Sequence, residues 1–228
     1  MIPLKDDIPT RRTPWVTILL IAANVAVFGW QIEGAPSFEM SIHLLGLVPA
    51  EFWALETLPS ALVSVFTSMF AHGSFLHIAS NLLFLWIFGN NVEDAMGRTR
   101  FVAFYLSCGV GAVAAQVIAA PTSAIPMVGA SGAIAGMLGA YLLLFPHARV
   151  LAAIPVFVFL RLVWVPAAIF IVLWLVLQIL GGLLSHPGQG GVAFWAHVGG
   201  AVTGMLLLRA FLPHPIRAVR SLHRRAWY

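Results

Sequence analysis

Six apolar segments dominate this chain of 228 residues, at about 14–32, 75–92, 101–120, 128–146, 163–184 and 192–212. Each is long enough, or nearly so, to cross ~30 Å of hydrocarbon as a helix. A backbone in hydrocarbon must satisfy its own hydrogen bonds, and a helix does so within one segment. Composition agrees: 61% of residues are hydrophobic and 9% charged, too little polar surface for a soluble domain of this length. The expected fold class is an all-α polytopic membrane protein. It comprises a single domain over 1–228, with a short tail at 1–13, a six-helix core over 14–212 and a basic tail at 213–228.

The first segment follows Arg11 and Arg12, as the core of a secretory signal would. It lacks a small-x-small cleavage site directly after its core, and Trp15 and Trp30 bracket it like interfacial anchors, so it reads as a retained span. Charge then orients the spans. Lys5, Arg11 and Arg12 precede the first; Arg98 and Arg100 separate the second from the third; Arg149 and Arg161 separate the fourth from the fifth. Arg209, Arg217, Arg220, Arg224 and Arg225 end the sixth or follow it, and the opposite loops, at about 33–74, 121–127 and 185–191, hold no Lys or Arg. The positive-inside rule predicts two cytoplasmic termini. The net charge of +4 is therefore a topology signal with anionic-lipid contacts, and no nucleic-acid partner is expected. The compact form and the lack of a transit peptide predict a prokaryotic inner or plasma membrane. Cys108 is the one cysteine, which excludes an intrachain disulfide.

The long loop of about 33–74 carries Glu39, Glu51 and Glu56 among Phe52, Trp53, Leu55, Leu58 and Leu62, a pattern of short amphipathic helices in the interface. The run Ser185-His186-Pro187-Gly188-Gln189-Gly190-Gly191 is rich in helix breakers and predicts a mobile loop. Pro155 makes 150–163 a poor helix interior, so a connecting excursion is expected there.

Topology gives each unusual polar residue a depth. Ser131 lies 15 residues before Pro146, and His197 lies 15 before Leu212, ~22 Å from the cytoplasmic end in each case. His77 and Asn81 lie 16 and 12 residues before Glu93, or ~24 and ~18 Å. Spans running in different directions thus bring four polar groups to one level, shallowly below the outer surface.

That level suits acyl transfer. Ser131 would be the nucleophile, and His197 would take its proton and return it to the leaving amine. No carboxylate lies at this depth, where a buried charge is costly, so the pair would be a dyad. The Asn81 amide, the His77 imidazole and the Ser131 backbone N–H could bind the oxyanion, the last from the first turn of a helix. Gly132, Gly136 and Ala140 form one ridge of small residues and Ala196, Gly200 and Gly204 another, allowing close helix approach. Taken alone, Ser131 could instead be a packing residue that bonds its own helix. His72, His77 and His197 could form a metal or proton-conducting site, but no carboxylate or thiol accompanies them and no relay leads to the other face. Asn24, Gln116 and Gln178 read as interhelical hydrogen-bonding groups, and Glu93 with Asp94 as a cap or anchor for the cytoplasmic end of the second span. No metal or other cofactor is expected.

At these residues the chain resembles the rhomboid intramembrane serine proteases. The resemblance rests on Gly129-Ala130-Ser131-Gly132, on Ala196-His197-Val198-Gly199-Gly200 with Gly204, and on His77-Ile78-Ala79-Ser80-Asn81. Phe88-Gly89-Asn90-Asn91-Val92-Glu93 followed by Gly97-Arg98 resembles the end of the family's second span. It implies a six-helix bundle, a Ser131–His197 dyad, and His77 and Asn81 in the oxyanion hole, with Gly129, Gly132, Gly199, Gly200 and Gly204 supporting. His72 matches a histidine that many members carry in the first outer loop. Two positions depart. Val63-Ser64 stand where many members have Trp-Arg, shortly before the Thr that Thr67 matches, and Ala135 stands where some members place an aromatic ring against the catalytic histidine.

The expected function is cleavage of transmembrane protein substrates near the outer membrane face. Substrate helices must unwind to expose a carbonyl, which favours helix-weakening residues and a small residue at the scissile bond. The fifth span and loop 185–191 are expected to gate entry from the lipid. The rival reading is a rhomboid-like protein without catalysis that binds or escorts membrane clients; it sits less well with a chain that keeps both serine and histidine. A small-solute or proton channel would need polar residues through the full thickness, which the spans lack.

Overall fold

The computed structural model describes residues 1–53, 56–156, 159–185, 191–216 and 219. The fold is mostly helical. Helix α1 (Trp15–Glu33) is followed by α2 (Phe38–Leu45), a 3-10 turn (Pro49–Trp53) and α3 (Leu58–Thr67), the short helices expected of the long loop. The next span, Phe75–Met96, comprises α4 (Phe75–Phe84), a π-helical turn (Leu85–Gly89) and α5 (Asn90–Met96). Then come α6 (Arg98–Ala119), α7 (Ser131–Leu144), α8 (Ala167–Leu184) and α9 (Phe194–Phe211).

Five of these stretches are long and apolar enough to cross a membrane: α1, Phe75–Met96, α6, α8 and α9. The protein is thus a multi-pass membrane protein. The segment expected as the fourth span differs. Helix α7 has 14 residues, ~21 Å of rise, because the chain from Gly129 backwards is not helical. Most of α7 is buried by protein, so it does not need lipid-spanning length.

A three-stranded antiparallel sheet, in the order β1-β2-β3, was not expected. Strand β1 (Ile2–Asp6), in the stretch read as a polar tail, pairs with β2 (Arg149–Val156), which pairs with β3 (Phe159–Pro166). The excursion around Pro155 is thus a hairpin, with Pro155 opposite Leu160. Strand β2 follows α7 and β3 runs directly into α8, which places the sheet at the end of these helices away from Ser131. Asp6 anchors it, accepting 2.6 Å bonds from Tyr141 of α7 and Asn91 of α5.

Glu93 and Asp94 anchor the end of the second span, as expected, by binding the start of α1. The buried Glu93 carboxylate accepts from the Val16 and Thr17 amides and the Thr17 hydroxyl at 2.8–3.0 Å, capping the open first turn of α1. Asp94 pairs with Arg11 at 3.1 Å. Asn24 departs from its interhelical reading, since its amide donates to the Leu20 carbonyl of its own helix.

Helices α6, α7 and α9 meet through small residues. A Cβ on Gly200 would overlap the Gly132 carbonyl, one on Gly204 the Gly136 carbonyl, and one on Gly199 the Ala115 side chain. Backbone therefore packs on backbone along the α7–α9 seam. Gln116 of α6 accepts from the Ala196 amide at 3.2 Å, tying the start of α9 to α6. Residues 186–190, within the loop expected to be mobile, and most of the basic tail lie outside the described residues.

Candidate active site

Ser131 is the first residue of α7 and His197 the fourth of α9. The seam brings Ser131 Oγ to 2.7 Å from His197 Nε2. Ser131 is half-buried and His197 buried. Both line a cavity of about 660 Å³ that also exposes His77, Asn81, Gln116 and Trp174. The remaining sequence-predicted donors thus share one cavity with the serine and histidine.

The approach to Ser131 is held from two sides. Gly129 donates its amide to the Ser68 carbonyl at 2.8 Å, and Met127 and Leu47 exchange a pair of backbone bonds at 2.8 and 3.0 Å. Gly129 has φ +124°, a conformation L side chains rarely adopt. A Cβ there would also stand 2.6 Å from His77 Nε2 and 3.6 Å from Asn81 Nδ2. Glycine at 129 therefore keeps two donors flush against the turn that presents the serine. The Ser131, Gly132 and Ala133 amides precede the first intrahelical bond, from Ile134 to the Ala130 carbonyl, so this first turn also directs N–H groups and a positive dipole end toward the cavity mouth.

His77 and Asn81 are four residues apart on α4 and share a face. Ser74 caps the helix by accepting from the His77 amide at 3.1 Å. The Gly73 amide donates to His77 Nδ1 at 3.4 Å, which leaves the ring proton on Nε2, the atom beside Gly129. Asn81 Nδ2 is buried and has no hydrogen-bond partner among the described residues. An unmet donor in a buried amide is costly unless a ligand completes it, and here it lines the cavity.

His72 lies just before α4, fully buried, and supports this wall. Its Nδ1 donates to the Phe70 carbonyl at 3.2 Å, and its ring meets His77 edge-to-face at 5.1 Å. Burial, followed by the neighbouring His77, pushes the His72 imidazole down to about 4 from 6.5, so at neutral pH it is an uncharged wedge. Gln31 of α1 brackets the same residue, accepting from the His72 amide at 2.9 Å and donating to its carbonyl at 3.2 Å. The sequence reading missed Gln31; its signal was a glutamine at the end of an apolar span. It also missed that Trp174 of α8 faces the histidine, with ring centroids 5.5 Å apart.

The fold and the cavity define a class: a polytopic membrane protein with a hydrogen-bonded serine and histidine in a cavity shared with His77 and the Asn81 amide. Comparison with known proteins narrows it. Residues 59–214 match the family model for the Rhomboid domain, more than half of the chain, and the protein belongs to the rhomboid family. Mitochondrial Rhomboid protein 1 of Saccharomyces cerevisiae is 31% identical over 58% of this chain and 37% of its own. The mitochondrial Presenilin-associated rhomboid-like protein of Mus musculus is 32% identical over 61% and 36%, and Rhomboid protease GluP of Bacillus subtilis 32% over 57% and 24%. The chain thus spans little more than a third, or less, of the curated relatives it matches.

Proposed function

We propose that this protein is an intramembrane serine endopeptidase that hydrolyses peptide bonds of transmembrane substrates near the outer face of the membrane. The observation that carries this reading is the 2.7 Å contact between Ser131 Oγ and His197 Nε2 inside a cavity lined by His77 and Asn81.

Ser131 Oγ attacks the scissile carbonyl carbon while its proton passes to His197 Nε2. The new oxyanion receives hydrogen bonds from Asn81 Nδ2, His77 Nε2–H and the Ser131 amide. The carbon–nitrogen bond then breaks, and the proton on Nε2 goes to the departing amine. Water attacks the acyl-serine, giving a proton to Nε2, and collapse of the second intermediate returns that proton to Ser131 Oγ and frees a carboxylic acid, which loses its remaining proton to solvent. His72, Gly129, Gly132, Gly199, Gly200 and Gly204 serve by shape, holding the α4 wall and the helix seam. Membrane lipid surrounds the spans, and no cofactor enters any step.

The bilayer orientation is argued from charge: the sheet end of the bundle, with Lys5 and Arg149, faces the cytoplasm and the cavity faces out. The relatives include mitochondrial and chloroplastic proteins beside a bacterial one, so family membership establishes a membrane and selects no compartment.

The test is proteolysis in detergent or vesicles. The purified protein is incubated with a single-pass substrate carrying helix-weakening residues near its outer boundary, beside Ser131→Ala and His197→Ala. One cut close to that boundary, absent from both variants, supports the reading; cleavage that survives both substitutions contradicts it. A client that co-purifies uncut with all three proteins would favour the escort role.

A further inference from the structure

His197 is held by a second helix. Its Nδ1 lies 2.7 Å from Gln178 Oε1 of α8, and both side chains are buried. The amide orientation follows from its other end: Gln178 Nε2 lies 3.2 Å from the Trp174 carbonyl. A carbonyl only accepts, so the nitrogen must face Trp174 and the oxygen must face His197. An amide oxygen only accepts as well, so the proton on the neutral ring sits on Nδ1. Nε2 then carries the lone pair, and it is the atom 2.7 Å from Ser131 Oγ.

We infer that Gln178 is a positioning residue that fixes the tautomer and ring plane of His197, occupying with a neutral amide the place a carboxylate holds in a triad. The inference rests on the proposed dyad. A neutral acceptor stabilises an imidazolium less than a carboxylate does, and it avoids burying a charge in hydrocarbon. Helix α8 supplies more than one atom. Trp174, one turn before Gln178, covers the His197 ring, with ring centroids 5.5 Å apart. The register of α8 on α9 is set nearby: a Cβ on Gly181 would stand 2.5 Å from the Phe194 ring, and one on Gly182 2.9 Å from Trp195. Two glycines thus seat α8 against the first turn of α9, within four residues of the Gln178–His197 bond.

The experiment compares the parent protein with Gln178→Leu and Gln178→Glu in the same membrane mimetic. Loss of the acceptor is expected to lower kcat roughly 10- to 100-fold with KM within about twofold, and glutamate, which restores an acceptor oxygen, to recover most of it. Glutamate is also nearly isosteric with glutamine, so the separation from a packing role comes from the tautomer of His197. The imidazole nitrogens of His197, observed by 15N NMR and assigned with His197→Ala, give a readout independent of turnover. The wild type is expected to show a protonated Nδ1 and a bare Nε2, and Gln178→Leu a mixture of tautomers. A protonated Nε2 in the wild type, or Gln178→Leu as active as the parent, overturns the inference. If Ser131→Ala still cleaves, the dyad fails instead, and the tautomer measurement still decides for or against Gln178.

Discussion

Tyr141 donates its hydroxyl to Asp6 across 2.6 Å, so the helix that starts at Ser131 is tied at its far end to the strand that starts the chain. Asn91 donates to the same carboxylate oxygen at 2.6 Å. Burial pushes the Asp6 carboxyl up to about 7 from 3.8, against the opposing bond from Tyr141 and with help from the neighbouring Asp7. The folded state therefore holds this proton more tightly than the unfolded one. Its stabilising contribution is fully present below about pH 4 and is lost as the pH rises through about 7. Amide exchange in Ile2–Asp6, corrected for intrinsic rates, should be slower at pH 5 than at pH 8. Asp6→Asn should flatten that difference; an unchanged pH dependence would refute the assignment.

His72 has the opposite sign. Its pKa is depressed, so its contribution is present above 6.5 and is lost as the pH falls toward about 4. Acid should loosen residues 68–74 and the adjoining turn of α4. Exchange protection there should fall between pH 7 and pH 4.5, and His72→Gln, which cannot charge, should blunt the fall.

At Gly129 both conformation and space exclude a side chain. Gly129→Ala should displace His77, since its Cβ would stand 2.6 Å from Nε2. Losing one oxyanion donor typically costs about 10²–10³ in kcat, and a drop of that order is expected, together with a lower unfolding temperature because a Cβ at φ +124° is strained. Full activity in Gly129→Ala would remove His77 from the oxyanion hole.

The α7–α9 seam predicts a stability effect. Gly200→Ala and Gly204→Ala each drive a methyl into a backbone carbonyl of α7, and overpacking of this kind costs about 1–3 kcal/mol. Thermal unfolding should show both variants clearly below the parent. Ala substitution at Gly29, where a Cβ meets nothing within 4 Å, should leave the transition nearly unmoved.

The sequence singled out Ser131, His197, His77 and Asn81 because each is a polar side chain in a segment that lipid should keep apolar. Topology then placed them at one level. Other parts were hidden for physical reasons. Strand β1 pairs Asp6 with Val150, and a pairing that distant leaves no local pattern. The shortness of α7 was hidden because Met127 and Val128 are as apolar as the helix, though backbone bonds to Leu47 and Ser68 hold this stretch extended. Gln178 was visible as a polar residue in α8. That it meets His197 is a fact of tertiary packing, set by how Gly181 and Gly182 receive α9. Glu93 suggested a cap, and only the packed structure shows that the capped helix is α1.

Activation of Ser131 by His197 is tested most directly by intact-mass measurement after treatment with a serine-directed fluorophosphonate. The account predicts one covalent adduct, mapped to Ser131, absent from Ser131→Ala and formed at least about 100-fold more slowly in His197→Ala. An adduct on another residue, or equal labelling rates in His197→Ala and the parent, would contradict it.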